Sequence, residues 1–144
     1  MGKLTERMRD AAYSGVYRVQ RADGVREATR GTRLDVARID LGGAADKDAL
    51  LARLAEALGF PDWFGGNWDA LEDCLADLSW RAGEGHMLLL ERHGELHLDD
   101  LGVLIDVLAA AADYWRGRGR PFFAVLVDPE GVLALPELFG RKLA

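Results

Sequence analysis

A single cysteine, Cys74, is present, so no disulfide can close within the chain. A reducing compartment is the natural setting for such a sequence. No apolar run approaches the ~20 residues of a membrane span. The first ten residues, Met1 to Asp10, are polar and lack an apolar core, so neither a signal peptide nor a membrane anchor is expected. There is no excess of positive charge: the formal net charge is -6 and the pI about 5.0. An acidic chain has no electrostatic reason to hold a phosphate backbone, so direct nucleic-acid binding is not expected. The same charge speeds encounter with a basic protein. Also missing are a glycine-rich phosphate loop, a Ser–His pairing, a dinucleotide fingerprint, an internal repeat and a low-complexity stretch. A cytoplasmic protein without cofactor or metal is the expectation that remains.

What is there is ordinary globular composition, 49% apolar and 29% charged over 144 residues, enough for one domain with a proper core. Gly15 to Gln20 alternates and fits an edge strand, and Ala22 to Gly31 fits a short helix. Leu34 to Leu41 fits a strand closed by Gly42-Gly43. Asp46 is placed to cap a helix whose stripe is Leu50, Leu51, Leu54 and Leu58, with Gly59 to end it. A loop over Pro61 to Gly66 precedes a helix from about Trp68 to Leu78, capped by Asn67. Arg81 to Gly85 is a polar turn, and Met87 to Leu90 fits a strand buried on both faces. Leu101, Leu104, Ile105, Leu108, Ala112 and Trp115 mark a third stripe, and Phe122 to Val127 a last strand. Strands separated by helices pair in parallel. The expected architecture is one α/β domain: a three-stranded parallel sheet over residues 34–127, packed by helices. An extra N-terminal strand and helix lie within 1–33, and a tail over 128–144 has no assigned structure. Nothing suggests an obligate homodimer.

The informative stretch is Phe60 to Trp80. At about 100° per residue, Leu71, Cys74, Leu75 and Leu78 point one way, and Asp69, Glu72, Asp73 and Asp77 the other. Between Pro61 and Trp80 there are five acids and no Lys or Arg. Like charges three and four residues apart cost a few tenths of a kcal/mol per pair. Asp69 recovers part of that from the helix dipole, whereas Asp73 and Asp77 do not. A one-signed face of this kind suggests a use for its field. Before it, Trp63, Phe64 and Trp68 flank Gly65-Gly66. Glycine permits a sharp turn and close approach, and tryptophan dominates many binding hot spots.

Pro61-Asp62-Trp63-Phe64-Gly65, then Asn67-Trp68-Asp69-Ala70-Leu71-Glu72-Asp73-Cys74-Leu75, resembles the barstar family, the intracellular inhibitors of barnase-type ribonucleases. About a dozen positions agree in order, and the resemblance covers roughly Leu34 to Val127. It implies a one-to-one complex in which the inhibitor plugs the active site of a basic ribonuclease and catalyses nothing. Asp73 matches the central aspartate that enters the enzyme's phosphate pocket, where a carboxylate stands in for phosphate. Asp69 matches a supporting aspartate, and Trp63 an aromatic packed on the catalytic histidine. Gly65 and Asn67 match the loop that shapes the contact. Two departures bear on specificity. Glu72 stands where the prototype has Trp, and the acidic contact of the last helix falls at Asp113 or Tyr114.

Other groupings point elsewhere. His93 and His97 are four apart, as metal ligands on one helical face would be, but Gly94 lies between them and no third ligand is evident. Cys74 falls on the apolar face, as a small buried hydrophobe does, and His86 fits a strand end. Asp69 and Asp73 could pair as catalytic carboxylates or bind Mg²⁺. Their place on a convex face argues against that. A generic acidic interaction module is the other alternative.

Overall fold

The computed structural model describes residues 3–138. Helix α1 (Lys3–Met8) and a single 3-10 turn lead into β1 (Gly15–Val19) and α2 (Asp23–Thr29). Then follow β2 (Leu34–Asp40), α3 (Lys47–Leu58), α4 (Trp68–Asp77), β3 (Gly85–Glu91), α5 (Leu98–Gly117) and β4 (Phe122–Val127). All strands are parallel, in the order β1-β4-β3-β2. The sheet therefore has four strands where three were expected. The N-terminal strand is a full member of it, with Gly15 to Val19 in register against Phe123 to Val127.

Side-chain alternation sorts the sheet into two faces. Ala37, Ile39, Leu88, Leu90, Phe122, Ala124 and Leu126 share one core with α3, α4 and α5. Met87, Leu89, Phe123 and Val125 share the other with Met8, Ala22 and Val25 of the N-terminal segment. The chain crosses from β1 to the far edge at β2, then steps back through β3 to β4. Parallel crossovers keep one hand, so reversing direction moves the connecting helices to the opposite face. That reversal puts α2 on one side and α3 to α5 on the other. The central strands β3 and β4 are buried almost throughout, as their unbroken apolar runs require. Edge strand β2 exposes Val36, Arg38 and Asp40 between its inward residues.

The segment after β4 folds back. Leu138 N donates to Arg18 O at 3.0 Å, Arg18 N to Pro136 O at 2.9 Å, and Arg18 pairs with Glu137. These contacts cover part of the free edge of β1, which would otherwise present unpaired backbone. Among the described residues, no helix is long and apolar enough to cross a membrane.

Candidate docking interface

Helix α4 begins where Asn67, in extended conformation, accepts a bond from Ala70 N at 2.7 Å. It ends at Leu78, whose φ of 52° is left-handed and whose N–H returns to Cys74 O. The helix thus stops one residue short of the Trp68–Leu78 span its pattern suggested. Leu71, Cys74, Leu75 and Leu78 are fully buried, which fixes the rotation of the helix. Asp69, Glu72, Asp73 and Asp77 are exposed as a consequence. Among the described residues, none of the four lies within 4.0 Å of a Lys, Arg or His nitrogen. Elsewhere on this protein ion pairs are frequent, including i,i+3 pairs on α2 and α5. Burial raises the Cys74 thiol's pKa, with Asp77 and Asp73 adding to the effect. The thiol is thus held in its inert form.

Of the aromatics at the start of α4 and in the loop before it, one projects and two are partly buried. Phe64 and Trp68 pack against the main core, whereas Trp63 is 58% exposed. Trp80 supports it from behind. Its ring meets Trp63 edge-on at 6.2 Å and Phe60 at 6.0 Å, and its Nε1–H donates to Leu58 O at 2.9 Å. Phe60 and Phe64 complete the cluster at 4.8 Å. Gly66 sits at φ +73°, a conformation that side chains rarely adopt, while Gly65 needs no such freedom. Trp80 was not singled out in the sequence. Its signal was there, as a tryptophan three residues past the last residue of α4 with a polar nitrogen to satisfy.

Asp113 and Tyr114 sit near the end of α5 and face different ways. Asp113 accepts from Arg116, whose other nitrogen reaches Ser14 O beside β1. Trp115, between Tyr114 and Arg116, is buried and donates to Leu75 O of α4 at 2.8 Å. A residue on either side of Trp115 is about 100° around the helix from it. Arg116 turns toward β1, and Tyr114, about 200° around the helix from it, turns away from β1. Its ring is 45% exposed, and its hydroxyl accepts from Arg118 at 2.9 Å.

The histidines are engaged separately. His97 caps α5, accepting from Asp99 N, and His93 faces the buried Asp128. Among the described residues there is no group of three or more candidate metal ligands. His86 lies at the start of β3, as its second residue, 1% exposed, with Nδ1 2.9 Å from Asp35. Arg81 grips the same carboxylate through two nitrogens at 2.6 and 3.0 Å. Burial alone would raise the Asp35 pKa, but the bonds from Arg81 and His86 prevail and hold it below its usual value. Burial lowers the pKa of His86, against the pull of Asp35.

These features define a small parallel α/β protein that exposes one acidic, cation-free helix beside a projecting tryptophan. The family model described as Barstar (barnase inhibitor) matches residues 34–127, and the chain belongs to that family. The match spans β2 to β4, including the loop and helix just described. No curated protein matches the chain. Among solved structures it resembles the Aeropyrum pernix ORC2 protein, in ADPNP–ADP complexes, at 15% identity and a TM-score of 0.49. That match covers 80% of this chain and 35% of the other, and at this level it says nothing of function.

Proposed function

We propose that this protein inhibits a ribonuclease of the barnase type, one to one, by docking α4 and the Trp63 loop into the active site. The family is one of inhibitors rather than enzymes. The observation that carries the reading is the exposed face Asp69, Glu72, Asp73 and Asp77, unpaired among the described residues. A ribonuclease site binds phosphate with cationic side chains, and a carboxylate offers them the same charge-assisted bonds. In this reading Asp73, mid-helix, is the central anchor, and Asp69 supports it one turn earlier. Trp63 packs flat on the enzyme, while Gly65 and Asn67 set the approach of the loop. Asp77 and Glu72 extend the acidic field. Tyr114 joins the rim in preference to Asp113, whose carboxylate is already held by Arg116. Glu72 in place of a large aromatic suits a partner with a more basic or more polar rim. In this reading the protein acts in the cytoplasm.

The test is a titration into barnase-type ribonucleases, following RNA cleavage at several salt concentrations. Stoichiometric inhibition, with an association rate that falls steeply with salt, is the expected result. No inhibition across several such enzymes, with binding to an unrelated basic protein instead, would favour a generic acidic interaction module.

A further inference from the structure

A second site lies away from the acidic helix, at the carboxyl ends of β3 and β4. A cleft of about 500 Å³ opens there between the turn after β3, the first turns of α5 and the segment that follows β4. Open parallel sheets bind ligands beyond the carboxyl ends of their strands, because the connecting loops diverge there. A volume of this size suits a small organic molecule. Leu96, Leu98, Leu101, Val132 and Leu133 supply apolar walls. Leu98 is 79% exposed and Val132 67%, more than any other large apolar side chain among the described residues. Two such side chains at the mouth of one cleft leave apolar surface for a ligand to cover.

The floor is polar and built. Asp128 is 2% exposed, takes Leu133 N at 2.9 Å on one oxygen, and faces His93 Nε2 at 3.2 Å with the other. Burial acts to raise its pKa, but the bonds from Leu133 and His93 outweigh this and keep it below the ordinary value. With Nε2 turned to Asp128, Nδ1 is an acceptor in the neutral ring whose proton sits on Nε2. Among the described residues Nδ1 has no hydrogen-bond partner, although the ring side chain is only 11% exposed. The charges at the rim are uneven. Glu91 is paired with Arg38 and Arg92 with Asp40, but Glu130 has no ion pair among the described residues. The rim is also stiff. Arg92 holds a left-handed φ of 63° and grips Asp40 through two bonds at 2.9 and 2.6 Å. A Cβ on Gly42 would crowd the Arg92 guanidinium and make it shift.

We propose that this cleft is a binding site for a small molecule with an apolar body and a protonated amine head. The body fills the space between Leu98, Leu101 and Val132, and the head donates to His93 and faces Glu130 and Asp128. A carboxylate head would meet an acceptor and two acids, so the site discriminates by head charge.

The test uses two probes with the same body, 3-phenylpropylamine and 3-phenylpropionate, titrated into the isotope-labelled full chain and followed by amide chemical shifts. The amine should shift Gly94, Leu98 and Val132 saturably, and the carboxylate should bind about tenfold or more weakly. Leu98→Lys, at an exposed side chain, places a competing cation at the mouth and should abolish the amine's shifts. His93→Phe keeps the apolar walls but removes the acceptor, and should weaken the amine's binding severalfold while Glu130 and Asp128 still disfavour the carboxylate. Shifts absent from these amides with both probes, or equal for both heads, would overturn the proposal. So would shifts that survive Leu98→Lys. Ribonuclease inhibition is not the readout, so this result stands apart from the function proposed for α4.

Discussion

Replacing Asp73 with alanine should weaken binding and strengthen the fold at the same time. The carboxylate is exposed and has no cationic partner among the described residues, so its loss leaves nothing orphaned. It sits four residues after Asp69 and four before Asp77, two like-charge pairs worth about 0.2–0.5 kcal/mol each. Alanine is also the better mid-helix residue by about 0.6 kcal/mol. Together these stabilise the variant by about 1 kcal/mol at low salt, or about 3 °C in melting temperature for a chain of this size. In the complex the balance reverses. Removing a buried charged anchor costs about 2–5 kcal/mol, and each ~1.4 kcal/mol is tenfold in affinity. The dissociation constant should therefore rise from about thirtyfold to several thousandfold.

The assay is inhibition of RNA cleavage beside a thermal melt of the free variant, both at low salt. A dissociation constant within about threefold of wild type would refute the anchoring role, since a central desolvated charge cannot be that cheap to lose. A melting temperature several degrees lower would refute the structural premise instead, by showing that the carboxylate has an intramolecular partner.

Leu71→Ala removes a fully buried side chain on the inner face of α4 and should cost about 2–5 kcal/mol, read by denaturant unfolding. A wild-type midpoint would mean that the helix is rotated from the register described. Trp63→Ala should leave unfolding within about 0.5 kcal/mol of wild type while costing about 2 kcal/mol or more in ribonuclease binding. Phe64→Ala, one residue later but packed on the core, should do the opposite, with a stability loss of about 2 kcal/mol. The last prediction concerns acid. The folded-state pKa of His86 lies below its unfolded value of 6.5, so the unfolded chain takes up the proton first. Its stabilising contribution is full above that value and is lost as pH falls. Asp35 and Asp128 are lowered from 3.8, so theirs is lost below that value and through the folded-state pKa. The melting temperature should be flat around neutrality, decline below about pH 6.5 and steepen below about pH 4. His86→Gln should flatten the first decline; an unchanged slope between pH 7 and 5 would assign it to other groups.

The elements that depend on neighbours close in sequence were legible without coordinates. Asp46 and Asn67 each cap a helix through a bond three residues on, and Gly59 takes the left-handed position at a helix end, so each signal sits within one turn of its effect. Leu78 was misjudged because its apolar side chain belongs to the stripe while its backbone has already left the helix. Long-range placement was less legible. Alternation marks Gly15 to Gln20 as a strand, but nothing local says that it pairs with β4, more than a hundred residues later. The joining of Asp35, Arg81 and His86 was invisible for the same reason, since Arg81 read as a turn residue and His86 as a strand end.

The candidate site was legible to a different degree in each of its parts. The periodicity of Leu71, Cys74, Leu75 and Leu78 compelled the acids outward, because one face of a helix cannot be buried without exposing the other. Composition could not say which of three neighbouring aromatics would project, as Trp63, Phe64 and Trp68 are all apolar enough to be core. Geometry separates them: Phe64 and Trp68 lie on the main core, and Trp63 is turned out against Trp80. The helix itself carries a local conflict, with like charges on successive turns that no neighbour offsets. It tolerates them because stability is supplied from elsewhere: the Asn67 cap, the buried leucines, and the Trp115 bond to Leu75 O. Local frustration held in place by a sound scaffold is what a binding face looks like before its partner arrives. On that reasoning a variant with lysines at Glu72 and Asp77 would give a steadier helix and a poorer inhibitor. If such a variant inhibited as well as wild type, the acidity of the face would have to be explained by something other than docking.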